Sequence, residues 1–342
     1  MTKKIYDNIL DSVGNTPLVQ INKKLDDGHS LFVKLEGLNP GGSMKDRTAG
    51  LIISEMLHAD EIRPGGTIIE SSSGNMAIGL AQACLYHGLN LIVVVDVNLN
   101  PHTRKLLRAY GANIVTVHEP HPEGGFLAAR LEKVNKLLTR VPNSAWTNQY
   151  QNPNNPKAYQ RTMTEIMQAL DNNLDYLFVA TSTCGSLMGC INYVSNKKLK
   201  TKIIAVDAVG SVLFGDKVGK RKIPGHGAGV ASHFLDRDKV FEVIHVSDAE
   251  CVEGCRKLLE QEAILSGGSS GGIFAAYQKY RHRLPQNSRS VLLFADRGAR
   301  YLDTIYNPEW VKQHIEMGKA IKNPSQEKKV NNNKRLYEHV SI

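Results

Sequence analysis

The chain has 342 residues, 42% hydrophobic and 22% charged, enough to bury a large core and to divide into two subdomains. No apolar run approaches the length of a membrane span, and Met1-Thr2-Lys3-Lys4 leads into no signal-peptide core, so the expected setting is the cytoplasm with no membrane partner. The net charge of +9 is spread widely, apart from a basic, asparagine-rich tail over 319–342 that is expected to be flexible. That tail lacks interleaved aromatic residues, so the charge argues for small anionic ligands and against nucleic acid.

In chain order, apolar β-branched runs alternate with amphipathic helical stretches. The strand-like run Leu31-Phe32-Val33-Lys34-Leu35 precedes a helix over Thr48 to Leu57, followed by Thr67-Ile68-Ile69-Glu70 and a helix through Ala77 to Leu85. Then come Leu91 to Val95, a helix from Thr103 to Tyr110, and the strand Asn113 to Val117. Tyr176 to Ala180, Lys202 to Val206 and Val291 to Phe294 repeat the pattern. Strand and helix at this spacing predict an α/β protein with mostly parallel sheets covered on both faces. Asn152-Pro153 and Asn155-Pro156 mark where the chain is expected to cross between subdomains. The five cysteines have no metal-site spacing. Cys251 and Cys255 share a helix face, read as packing between reduced thiols.

The stretch Asn39-Pro40-Gly41-Gly42-Ser43-Met44-Lys45-Asp46-Arg47 lies between a strand and a helix, and Asp46 is suited to cap that helix. A lysine at such a turn, partly desolvated and near a helix N-terminus, is a candidate nucleophile toward aldehydes. In parallel α/β folds ligands bind at the carboxyl ends of strands, which draws attention to three further loops. Glu70-Ser71-Ser72-Ser73-Gly74-Asn75-Met76 offers hydroxyls, helix N–H groups and the Asn75 amide, a cradle for a carboxylate. Thr181-Ser182-Thr183-Cys184-Gly185-Ser186 reads as a phosphate nest without the lysine of a nucleotide-splitting loop. Ser266-Gly267-Gly268-Ser269-Ser270-Gly271-Gly272 permits close backbone approach, and a serine there can meet a ring nitrogen. Each loop taken alone is also what an ordinary polar helix cap looks like.

Taken together and in order, these loops are specific. With Val13-Gly14-Asn15-Thr16-Pro17-Leu18 and Asn148-Gln149-Tyr150, the chain resembles, from about Ile9 to Leu302, the cysteine synthase and cystathionine β-synthase family. These are fold-type II pyridoxal 5'-phosphate enzymes, built like tryptophan synthase β from two three-layer α/β/α subdomains. The resemblance implies a large cofactor-binding subdomain over 1–45 and 143–318, a smaller mobile one over 46–142, and a homodimer. It implies that Lys45 bonds the cofactor aldehyde and later moves protons, and that Asn75 holds the ring oxygen. Ser182, Thr183, Cys184, Gly185 and Ser186 are then the phosphate cup, and Ser269 the partner of the pyridine nitrogen. Ser72, Ser73, Gly74 and Gln149 are implied in gripping the substrate carboxylate.

Three positions depart from the sulfide-using pattern: Met76 stands where threonine is usual, Tyr150 where phenylalanine is usual, and Ser182 where the cup usually begins with glycine. Asp207 to Lys217, Asp296 to Leu302 and Gly124 to Arg130 resemble a narrower branch that joins O-phospho-L-serine to L-glutamate on the way to the siderophore precursor 2,3-diaminopropionate. In that branch Arg130 is a guanidinium for a phosphate or carboxylate, although a helix-surface salt bridge is its ordinary alternative. The rival readings are a cysteine or cystathionine synthase using sulfide or a thiol, a non-catalytic binder of the cofactor, and a nucleotide-binding protein.

Overall fold

A computed structural model describes residues 5–21, 28–215 and 218–316; the basic tail over 319–342 falls outside them. Among the described residues, ten strands fall into two sheets. β1 (Leu18–Ile21), β2 (Ser30–Leu35), β7 (Tyr176–Ala180), β8 (Lys202–Ala208), β9 (Glu242–Val246) and β10 (Arg289–Phe294) make the larger, in the order β1-β2-β10-β7-β8-β9. Only the β1–β2 pair is antiparallel. β3 (Thr67–Ser71), β4 (Asn90–Asp96), β5 (Asn113–Val117) and β6 (Ser144–Trp146) form a fully parallel sheet in the order β5-β4-β3-β6.

The helices are α1 (Lys45–His58), α2 (Asn75–Tyr86), α3 (Pro101–Ala109), α4 (Gly125–Leu138), α5 (Asn154–Lys157), α6 (Tyr159–Ala169), α7 (Gly185–Asn196), α8 (Asp248–Glu262), α9 (Gly268–Tyr280) and α10 (Pro308–Val311). They explain why the central strands are apolar without a break. In β7, Tyr176 and Phe178 enter the core shared with α8 and α9, while Leu177 and Val179 enter the one shared with α6 and α7. The smaller sheet does the same: Ile68, Leu91, Val93 and Val95 pack beneath α1, α2 and α3, and Ile69 and Val94 pack under Val134 of α4. Strands covered on both faces have no solvent side on which polar residues could alternate. Both sheets are therefore the middle layers of α/β/α stacks, as expected. β6 pairs with β3, so a division at residue 142 would separate a strand from its own sheet.

Two local expectations change. Asp46 does not cap α1, which begins one residue earlier at Lys45; its carboxylate instead accepts the Gly41 N–H at 2.6 Å and closes the loop. Of the glycines after Ser266, Gly271 and Gly272 approach another helix. A Cβ on Gly271 would lie 2.2 Å from the Cys251 carbonyl, and one on Gly254 2.1 Å from that of Gly271, so α8 and α9 cross backbone to backbone. All five cysteines are free and buried.

Candidate active site

The loops after β3, β7 and β10 converge with the start of α1 on a cavity of about 220 Å³. Every residue singled out from the sequence lines it except Cys184 and Gly185. Lys45 opens α1 and reaches in, its Nζ donating to Tyr159 OH at 3.1 Å; that oxygen also accepts from Thr48 Oγ1 at 3.0 Å. Ser72, Ser73, Gly74, Asn75 and Met76 form the wall where α2 begins, and the Ser72 hydroxyl accepts the Ala77 N–H at 3.3 Å. Ser269 faces the cavity from the first turn of α9.

Cys184 and Gly185 sit behind the wall. Cys184 packs into the core between the larger sheet and α7, where burial pushes its thiol up to about 12. It also holds a left-handed backbone, φ 63°, a conformation that favours glycine. Gly185 backs onto Asn155: a Cβ there would lie 2.2 Å from Asn155 Oδ1. From this loop Ser182, Thr183 and Ser186 line the cavity, beside the backbone N–H groups that open α7 from Gly185 onward, which have no partner within their own helix.

Four residues that matter here were assigned no role in the site from the sequence. Asn155 donates from Nδ2 to the Gln149 carbonyl at 2.6 Å and to Thr183 Oγ1 at 3.4 Å, tying two loops together. Glu70, fully buried, accepts from Ser71 N at 2.7 Å, Trp146 Nε1 at 3.3 Å and Gln149 N at 3.3 Å, anchoring the segment that carries Gln149 and Tyr150. Asp296 Oδ2 accepts from Asn75 Nδ2 at 2.8 Å and Tyr301 OH at 2.6 Å, which sets the face that the Asn75 amide presents. Tyr159 is the fourth.

The lysine loop is held from behind by a buried ionic network. Arg47 donates to Glu36 from Nε at 2.6 Å and Nη2 at 2.8 Å, and to Glu165 from Nη1 at 2.8 Å and Nη2 at 2.7 Å. Lys34 Nζ joins Glu165 at 2.7 Å, Thr16 Oγ1 donates to Glu36 at 2.7 Å, and Gly14 N donates to Asn39 at 2.8 Å. The Val13–Leu18 motif is therefore a brace for the lysine loop.

Arg130 and Tyr150 stand at one end of the cavity. Arg130 Nη1 lies 3.4 Å from Asp96 Oδ2, so it does form a salt bridge, the ordinary alternative to a ligand role, though a largely buried one, and its Nε is buried without a partner. Burial, and Glu70 behind it, push the Tyr150 phenol up, with Arg130 opposing; it is a neutral hydroxyl near neutral pH.

A family model described as pyridoxal-phosphate dependent enzyme matches residues 9–296, and the chain belongs to that family. Pyridoxal phosphate is its cofactor. The chain is 44% identical, over 90% of its length and 91% of the relative's, to the N-(2-amino-2-carboxyethyl)-L-glutamate synthase of Ralstonia nicotianae. Among solved structures it is similar to an O-acetylserine dependent cystathionine β-synthase from Helicobacter pylori, with 32% identity, TM-score 0.82, and 89% of this chain and all of that one covered. It is also similar to a hydrogen sulfide-producing enzyme from Fusobacterium nucleatum, with 33% identity, TM-score 0.81, and 87% of this chain and all of that one covered. The residues present fit a phosphorylated pyridine aldehyde: one amine, a helix N-terminus for a dianion, and hydroxyl and amide groups around a small enclosed volume. Among the described residues no cluster of ligands suits a metal ion, and no helix is long and apolar enough to cross a membrane.

Proposed function

We propose that this chain catalyses a β-replacement in which O-phospho-L-serine loses phosphate and L-glutamate adds through its amine, giving N-(2-amino-2-carboxyethyl)-L-glutamate. The observation that carries this reading is the identity of 44% to the Ralstonia synthase over nine-tenths of the chain. The chemistry of Arg130, Tyr150 and Ser182 at one end of the cavity agrees with it, because two anionic substrates need cationic and hydroxyl partners where sulfide needs none.

Lys45 would bond the cofactor aldehyde and carry the proton at the substrate α-carbon; Tyr159, itself held by Thr48, holds its amine. The opening turn of α7, with Ser182, Thr183 and Ser186, holds the phosphate of the cofactor. Ser269 would meet the ring nitrogen, and Asn75, oriented by Asp296, the ring oxygen. Ser72, Ser73 and Gly74 with the N–H groups of α2 grip the substrate carboxylate, helped by Gln149, while Met76 narrows the wall. Bound pyridoxal phosphate supplies the electron sink that lets the α-proton and the β-phosphate leave. Closure of the smaller subdomain, with its boundary moved to about residue 146 so that β6 stays in its sheet, over the substrate excludes water until the amine adds. On the strength of the family resemblance, the enzyme works as a cytoplasmic homodimer whose product feeds siderophore assembly through 2,3-diaminopropionate.

The test is product analysis by mass spectrometry with phosphoserine or acetylserine offered together with glutamate or sulfide. The expected product is the glutamate adduct, formed from phosphoserine in preference to acetylserine. Efficient cysteine formation from acetylserine and sulfide, with glutamate ignored, would leave the family intact and replace this activity with that of a cysteine synthase.

A further inference from the structure

A second cavity, about 480 Å³, opens directly beyond the first. The two share Arg130, Tyr150, Ser182 and Thr183, so these residues form the neck between an inner chamber containing Lys45 and an outer one that does not. The outer wall is built from Gly124 to Leu131 at the start of α4 and from the segment 227–233. That segment is fastened to the cup: Gly227 N donates to the Thr181 carbonyl at 2.7 Å, and Ser232 Oγ to the Thr183 carbonyl at 2.7 Å.

Among the described residues Arg221 is the one arginine or lysine that lines the outer chamber alone, with His233 in the same wall. Its Nε is buried with no hydrogen-bond partner, and no carboxylate among the described residues comes within ion-pairing distance. Asp207 and Asp248 attract it only from farther away, and burial lowers its pKa from the ordinary value, as expected of a guanidinium short of partners. Its position is nonetheless fixed. A Cβ on Gly227 would lie 2.8 Å from Nη1 and one on Gly229 3.3 Å from Nη2, so the planar group lies against a backbone stripped of side chains. A buried donor left without a partner costs about 1–3 kcal/mol, more when charged. That cost falls on Nε alone; the side chain is half-buried, and its two Nη groups are the donors left for an anion in the cavity.

We propose that Arg221 is the specificity determinant for the incoming nucleophile, binding the distal carboxylate of a dicarboxylic amino acid in the outer chamber. This rests on the glutamate reading above and deepens it. The amine must pass the neck to reach the inner chamber, which leaves the α-carboxylate at the neck beside Arg130 and Ser182. The side-chain carboxylate then trails in the outer chamber, where Arg221 is the available cation. A monocarboxylic amine or sulfide fills the inner chamber without engaging it.

The experiment uses holoenzyme and the variants Arg221→Gln and Arg221→Lys, with Trp310→Phe as background so that Trp146, in the wall of the outer chamber, is the remaining tryptophan. Titration with glutarate, which carries two carboxylates and no amine, is followed by Trp146 fluorescence. Arg221→Gln should weaken glutarate binding at least tenfold, about 1.4 kcal/mol, and raise the glutamate KM by a similar factor. Arg221→Lys should fall between, because an ammonium cannot reproduce a bidentate fork. Phosphate release from phosphoserine without any amine should stay within twofold of wild type in both. Unchanged glutarate affinity and glutamate KM in Arg221→Gln, while adduct still forms, would overturn the proposal. If wild type makes no glutamate adduct, the functional reading fails on its own, and the titration still decides the subsite: dicarboxylate binding that Arg221→Gln weakens upholds it, and no binding ends it.

Discussion

Replacing Arg47 with methionine removes the cation that Glu36 and Glu165 share behind the lysine loop. Four charge-assisted hydrogen bonds go at once, between 2.6 and 2.8 Å long, from a guanidinium only 3% exposed to a glutamate that is fully buried and another 9% exposed. Summing such bonds at about 1.5–3 kcal/mol each overstates the loss, because the folded state has already met the cost of taking these charges out of water. The relevant quantity is the charge left uncompensated. Glu165 keeps Lys34, but Glu36 is left with only the neutral donors Thr16 and Asn39. Breaking a buried pair in this way costs about 3–5 kcal/mol. At about 2 °C per kcal/mol for a chain of this size, that is a fall in Tm of roughly 6–10 °C. Since Lys45 lies two residues from the lost brace, cofactor affinity should fall as well. Thermal unfolding and cofactor titration should be measured together, on Arg47→Met and on Arg47→Met with Glu36→Gln. Neutralising Glu36 should recover about half of the lost stability, because it removes the orphaned charge. An unchanged Tm in the single variant, or a second substitution that costs as much as it does in wild type, would refute the network argument.

Three further outcomes are expected. Burial favours a protonated Glu165, but the Arg47 and Lys34 contacts overcome it and hold its pKa at about 2, below the 4.5 of an unperturbed glutamate. The group's contribution, roughly 3 kcal/mol, is therefore complete above pH 4.5 and lost as the pH falls toward 2. Glu165→Gln should flatten the acid limb of a stability–pH curve between those values, and a limb as steep as wild type would count against it. Gly185→Ala drives a Cβ to within 2.2 Å of Asn155 Oδ1 and breaks the link from Asn155 to Gln149 and Thr183. Cofactor affinity should drop at least tenfold with circular dichroism unchanged, and Asn155→Ala in the same chain should relieve the clash. Lys45→Ala should bind cofactor without the visible absorption of the lysine-bonded form, and retention of that band would move the role to another lysine.

Much of the architecture was legible because it depends on near neighbours in the chain. Covered parallel strands read as unbroken apolar runs, and the turn chemistry of Asn39–Arg47, Ser72–Met76, Ser182–Ser186 and Ser266–Gly272 marks where strands end and helices begin. Lys45, Asn75 and Ser269 could be picked out because each sits in such a turn. What the turns cannot express is which distant groups meet them. Tyr159, which holds Lys45, is 114 positions away, and Asp296, which orients Asn75, is 221 positions away. Neither stretch carries a signal of that pairing, and only the tertiary fold brings it to the site. The same packing decided that the Val13–Leu18 motif braces the lysine loop and that Cys184 points into the core. It also left Arg221 facing a cavity without a counter-ion. Local backbone preference fixes where a turn falls; the choice of partner across the cleft belongs to burial and shape, which exist only once the chain has closed.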